Sequence, residues 1–189
     1  MSKATGYAFK SRDYIGSVEP PATVLEDESR FGNNGSMVTA KPDLVQLPSG
    51  LWVFSYNGTD AVVDVGDIGR PVKTVCLWIY PDDNTTRSIL DLDGGTHSLE
   101  LDGSGDLTAT GWTAPTRYVN AVVANAVAQS AWSFIAVTTA TAIDVSDLHL
   151  GKEASYFDGY QALYKMLEYA VSAGQIASIY QAERHWFGV

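Results

Sequence analysis

Cysteine is nearly absent from this 189-residue chain. The single one, Cys76, excludes any intrachain disulfide, and its setting in Thr74-Val75-Cys76-Leu77-Trp78-Ile79 reads as that of a small buried hydrophobe. One cysteine and three scattered histidines, His97, His149 and His185, give no zinc-type ligand set, because no two histidines share a helix or strand spacing. Basic residues are also scarce. Twelve Lys and Arg stand against 22 Asp and Glu, a net charge of −10, which argues against nucleic acid and anionic membrane surfaces as partners. No window approaches the roughly 18 apolar residues of a membrane helix. Residues 1–20 lack a signal-peptide core and carry Lys3, Lys10, Arg12 and Asp13, so the expectation is a chain with neither a cleavable signal nor an anchor. Catalytic signatures are missing too: there is no G-x-S-x-G elbow, H-E-x-x-H pair or Walker loop.

What is present is apolar sequence broken often by turns. A hydrophobic content of 46% is ample for a real core, and the length suits one all-β domain. Residues 1–24 end in Glu19-Pro20-Pro21, which forbids helix and reads as an N-terminal arm, leaving 25–189 as the domain. The arm carries Tyr7, Phe9, Tyr14, Ile15 and Val18, and two outcomes are open: docking on a neighbouring subunit, or pairing with the edge of its own domain. Strands are expected at 51–57, 61–65, 73–80, 88–92, 97–102, 106–109, 116–120, 132–139, 143–150 and 158–168, with a loop-linked strand pair in 121–131. They are separated by turn signals such as Asn57-Gly58, Asp93-Gly94-Gly95 and Gly103-Ser104-Gly105. Turns recurring every 8–12 residues or so mark an antiparallel sandwich.

The end of the chain differs. Ser172 with Gln175 three residues on forms a capping box, and Val171 with Ile176 has the spacing of a hydrophobic staple, so one short helix is expected near Ser172–Arg184.

Five segments in order resemble one family. Asp27-Glu28-Ser29 with Gly32-Asn33-Asn34-Gly35 resembles its opening loop. Tyr56-Asn57-Gly58-Thr59-Asp60-Ala61-Val62-Val63-Asp64-Val65 resembles its first hairpin. Thr74 to Pro81, Trp132 to Val137, and the final strand and helix from Phe157 to Tyr180 complete the pattern. Together they resemble the concanavalin A-like jelly roll, and within it the laminin G-like (pentraxin-related) domains of bacterial and phage proteins. The resemblance covers roughly residues 25–183 and implies a two-sheet antiparallel jelly-roll sandwich with one short C-terminal helix.

It also implies a calcium site between the opening loop and the last long strand. Asp27 would supply a carboxylate and the Gly32 and Asn33 region carbonyl oxygens, with Gln161 standing where the family often has an aspartate. The alternative is that Asp27 and Asn33 simply close turns. Glucanases of the superfamily place three acids along one strand. The nearest approach, Glu100-Leu101-Asp102-Gly103-Ser104-Gly105, has glycine where the third acid must stand, so no enzyme activity is expected. For a glycan, Trp112 and Tyr118 are the candidate stacking platform and Asn84 and Arg87 the candidate polar contacts. Trp112 has core packing as its alternative, and Trp78 and Trp132 read as core.

The function expected is a non-catalytic structural or recognition protein. The first form is a virion (phage) decoration or surface protein that uses the fold for assembly with capsid or self and for glycan adhesion. The alternative is the carbohydrate-binding module of a bacterial polysaccharide-degrading system. A virion or extracellular surface is the expected location.

Overall fold

A computed structural model describes residues 23–189 except 28, 30, 38 and 39. The expected arm lies outside the described residues except at its end, where Val24 opens a strand. In chain order the strands are β1 (Val24–Leu25), β2 (Gly35–Ser36), β3 (Asp43–Gln46), β4 (Trp52–Asn57), β5 (Val63–Gly66), β6 (Pro71–Pro81) and β7 (Arg87–Asp91). Then come β8 (Ser98–Leu101), β9 (Leu107–Thr110), β10 (Thr116–Val119), β11 (Val122–Val123), β12 (Ser133–Asp144), β13 (Leu148–Leu150) and β14 (Asp158–Leu167). Helix α1 (Ala173–Glu183) and a 3-10 turn (Arg184–Trp186) end the chain.

Among the described residues two antiparallel sheets of seven strands face each other, giving the expected sandwich. Sheet 1 runs β1-β2-β5-β13-β7-β8-β9, and sheet 2 runs β11-β10-β12-β6-β14-β4-β3. Between them lies a core of alternating inward residues: Val63 from β5, Leu148 and Leu150 from β13, Leu99 and Leu101 from β8, and Val75, Leu77 and Ile79 from β6. Sheet 1 has only this one apolar face, so its strands alternate, as Ser98-Leu99-Glu100-Leu101 shows.

Sheet 2 is buried on both faces. Cys76 and Trp78 of β6 and Phe134 and Ala136 of β12 point away from sheet 1 into a second core, closed by Ile176 of the helix and Phe187 beyond it. That is why Thr74-Val75-Cys76-Leu77-Trp78-Ile79 reads as a continuous apolar run rather than an alternation. Burial pushes the Cys76 thiol up to about 12, with Lys165 pulling it down and Glu183 raising it further.

The helix begins as its sequence dictates. Ser172 Oγ accepts from the Gln175 amide, and Gln175 Oε1 accepts from the Ser172 amide at 3.0 Å. An isolated helix of 11 residues is marginal in water, so packing holds it. Trp78 stacks on Phe187 with ring centroids 4.1 Å apart, and the fully buried Ile176 adds about 1.5–3 kcal/mol. Beneath the helix Lys165 Nζ lies 2.5 Å from Glu183 Oε1, while Glu183 Oε2 accepts from Trp78 Nε1 at 2.9 Å.

Three sequence expectations are corrected. Residues 143–150 are not one strand: Ile143 and Asp144 finish β12 in sheet 2, the chain crosses at 145–147, and β13 lies in sheet 1. The 121–131 segment forms only β11. Beyond it, Asn125 and Ala126 run along the outer edge of sheet 1, where the Asn125 carbonyl accepts from Leu107 and Ala126 bridges Asp106. Before residue 51, where no strand of the domain was expected, the chain contributes β2 and β3.

Candidate functional site

The residues proposed from sequence do not converge. Trp112 lies on the crossover from β9 to β10 and folds its ring into the inter-sheet core, 7% exposed, so it offers no face to a ligand. Tyr118 on β10 turns into the helix-side core and is 8% exposed. Arg87 is engaged as a clamp. Its guanidinium binds Asp83 at 2.5 Å and Asp158 at 3.2 Å, and donates to the Gly58 and Tyr156 carbonyls, tying three loops together. That contact holds the Asp83 carboxyl down at about 2. Asn84 stays exposed at the tip of the same loop.

Of the expected calcium ligands, the loop part assembles and the strand part does not join it. The Asp27 carboxylate accepts from the Ser29 amide, the Ser29 hydroxyl and the Asn33 amide at 2.7–2.9 Å. Those bonds close the turn containing Gly32, the alternative the sequence left open. Gln161 is fully buried between the sheets. Its amide donates to the Ile89 carbonyl at 3.2 Å, and its carbonyl accepts from the Tyr164 hydroxyl at 2.9 Å. With the Tyr164 proton on Gln161, the Tyr56 hydroxyl 2.9 Å away must donate to Tyr164. Burial raises both phenols well above their ordinary range.

The feature that stands out was missed. Paired residues in an antiparallel sheet share a face. The register Ser36↔Asp64↔His149↔Asp91↔Ser98↔Thr110 therefore sets six polar side chains side by side on the outer face of sheet 1, across six strands. Core residues adjoin most of them along the strand, as Val63 adjoins Asp64 and Leu148 and Leu150 flank His149. The alternation Leu148-His149-Leu150 was the available signal. The register joining the strands was not readable locally.

Two adjoining cavities open on this row and share His149 and Lys152. One, of about 350 Å³, is also lined by Asp60, Asp64 and Tyr156; the other, of about 240 Å³, by Asp91, Asp147 and Glu153. His149 stands between two carboxylates, with Nε2 3.9 Å from Asp64 Oδ1 and Nδ1 3.9 Å from Asp147 Oδ2. One ligand atom from each of Asp64, Asp147 and His149 lies within 4.8 Å of the others. Two carboxylates and an imidazole suit zinc or manganese better than calcium. The carboxylates approach different ring nitrogens, though, whereas a metal takes only one.

The rest of the site is already structured. Asp91 Oδ1 accepts from the Asp93 and Gly95 amides, shaping the loop that ends at His97, whose Nδ1 lies 2.5 Å from Asp93 Oδ2. Glu100 is bonded to the Ser98 and Thr110 hydroxyls, and Asp102 accepts from Ser104 and Asp106, closing the β8–β9 turn. No protein-family model matches the sequence, and no curated protein matches it significantly. Among the described residues no helix is long and apolar enough to cross a membrane.

Proposed function

We propose that this domain is a non-catalytic recognition module that binds a glycan on the outer face of sheet 1. The observation that carries the reading is the six-residue polar row with its two adjoining cavities. Carboxylates of Asp64 and Asp147 can each accept from sugar hydroxyls, while Lys152 and His149 donate between them. Tyr156, with Lys152 Nζ 5.9 Å from its ring centroid, adds an aromatic edge to the larger cavity. The non-catalytic part rests on Glu100 and Asp102, the nearest approach to a glucanase acid set, being engaged in the strand and turn they belong to. The likeness of five ordered segments to laminin G-like jelly rolls supports the same reading.

Affinity electrophoresis in gels cast with a set of soluble polysaccharides tests it. At least one should retard the protein, and Asp64→Asn or His149→Ala should each weaken that binding about tenfold or more without altering the melting curve. Failure of every polysaccharide to retard the protein, or retardation unchanged by both substitutions, rejects the proposal.

A second reading, assembly with protein partners on a virion or cell surface, has its own observation. Val122 and Val123 are 65% and 66% exposed on β11, which among the described residues forms an edge of sheet 2. Exposed apolar edges invite pairing with another chain. Light scattering after size exclusion should then show association that Val123→Lys abolishes; a monomer at every concentration rejects it.

A further inference from the structure

Half-exposed aromatic rings gather on the opposite side of the sandwich, beside the end of the helix. Tyr80 of β6 and Tyr160 of β14 are register partners on the outer face of sheet 2, with ring centroids 5.6 Å apart. Trp132, immediately before β12, meets Tyr80 edge-on at 5.7 Å and packs on Phe187 at 4.6 Å. The sequence reading took Trp132 for core, yet the ring is only half-buried and lines a groove of about 370 Å³. Trp186, the neighbouring His185 and the β3–β4 turn at Leu47 and Ser49 form the other walls. That volume falls in the range of about 300–1,000 Å³ typical of small-ligand sites.

The walls are held before any ligand arrives. Phe187 is anchored on Trp78, and Trp78 is bonded to Glu183 of the helix. His185 packs against Trp186 with ring centroids 4.4 Å apart. The groove's chemistry selects its occupant. The chain carries 22 acidic residues, yet among the described residues no carboxylate, lysine or arginine side chain lines this groove. A charged ligand would find no carboxylate, lysine or arginine among these lining residues to pair with. The walls offer aromatic surface for an apolar face, and the rim offers the Ser49 hydroxyl and the His185 imidazole for hydroxyl groups. A ligand with an apolar ring face, a rim of hydroxyls and no charge is a neutral pyranose.

We propose that the groove between Trp132 and Trp186 is a binding site for one pyranose unit of a neutral glycan. It stands on the face opposite the polar row and does not depend on the reading of that row.

Intrinsic tryptophan fluorescence of the whole protein, titrated with cellohexaose, laminarihexaose, xylohexaose and mannohexaose, tests the proposal, with hexagalacturonate as the charged control. At least one neutral hexasaccharide should quench or shift the emission saturably, and hexagalacturonate should not. Trp186→Ala should weaken that binding roughly tenfold or more, as truncating an aromatic anchor does. Trp132→Phe, which retains a packing ring, should weaken it less. A second readout by calorimetry guards against emission changes caused by the substitutions themselves. The proposal is overturned if no neutral hexasaccharide binds, if hexagalacturonate binds as well, or if Trp186→Ala binds like the parent. Loss of binding in His149→Ala with retention in Trp186→Ala would place the sugar on sheet 1 instead.

Discussion

Replacing Glu183 by alanine tests the account of how the helix is held on sheet 2. Its carboxylate bonds both Lys165, at 2.5 Å, and the Trp78 indole, at 2.9 Å, and the two ionic side chains are only 11% and 15% exposed. Removing one member of a buried pair strands the other, at a cost of about 3–5 kcal/mol. The orphaned indole N–H would add about 1–3 kcal/mol if wholly cut off from water. Lys165 keeps its bond to the Leu163 carbonyl at 3.2 Å, and the site is not sealed, so the lower part of the combined range applies. A loss of about 3–4 kcal/mol is expected, or roughly 6–15 °C in melting temperature for a chain of this size. Glu183→Gln keeps an acceptor for Trp78 but not the charge, and should fall between alanine and the parent. The decisive variant is the double Lys165→Met, Glu183→Leu, in which no charge is stranded. It should return to within about 1–2 kcal/mol of the parent, making the pair strongly non-additive. Urea denaturation of these four proteins and of the Lys165→Met and Glu183→Leu singles measures this. A Glu183→Ala loss under about 1 kcal/mol, or a double variant no better than the sum of its singles, would refute the reasoning.

Acid should weaken the Arg87 clamp. Asp83 is held at about 2, chiefly by its bond to Arg87, against an ordinary value of 3.8, so its contribution is complete above about pH 4 and lost as pH falls towards 2. Asp83→Asn should flatten that part of the stability profile, although its neighbour Asp82, pushed upward by burial and by Asp158 and Asp83, acts in the opposite sense. In the inter-sheet hydroxyl chain, Tyr164→Phe should cost about 2–4 kcal/mol by orphaning groups on Tyr56 and Gln161, and Tyr56→Phe only about 1, since Tyr164 keeps its acceptor; chemical denaturation ranks the two. Asn120 and Ala121 take positive φ of 51° and 66° in the two-residue turn joining β10 to β11. Ala121→Gly should therefore raise stability by about 0.5–1 kcal/mol in a thermal melt.

Local chemistry was legible in the sequence. Ser172 and Gln175 announced the helix because a capping box involves only neighbouring backbone, and paired turn residues such as Gly103-Ser104-Gly105 bounded β8 and β9 for the same reason. Partnership between distant segments was not legible. Asp64 and His149 are 85 positions apart and meet only because β5 and β13 pair. Trp112, in a loop-like segment, could be read as a sugar platform or as a packing ring, and the packing alternative holds because that loop crosses between sheets and turns the ring inward. Trp132 looked buried because an apolar strand follows it, yet it precedes the strand and borders the groove. Gln161 and Lys165 share a strand but face opposite cores, because the register slips between Ala162 and Lys165, where Leu163 adopts a φ of 52°. A period-two reading has no means of anticipating that slip.

The position of β14 has a consequence for how the chain is made. It lies between β6 and β4 in sheet 2, yet of the described strands it leaves the ribosome last. During synthesis the edges of β4 and β6 that it will occupy face water with their backbone groups unpaired. From the end of β6 at Pro81 to the start of β14 at Asp158, roughly 80 residues must be added. At about 5–20 residues per second, that interval lasts some 4–16 s. The nascent chain therefore presents two long apolar edges together in a half-built sheet, and a holdase that recognises exposed strands has its longest opportunity there. Slowing translation after Pro81 should lengthen that exposure and lower the soluble yield.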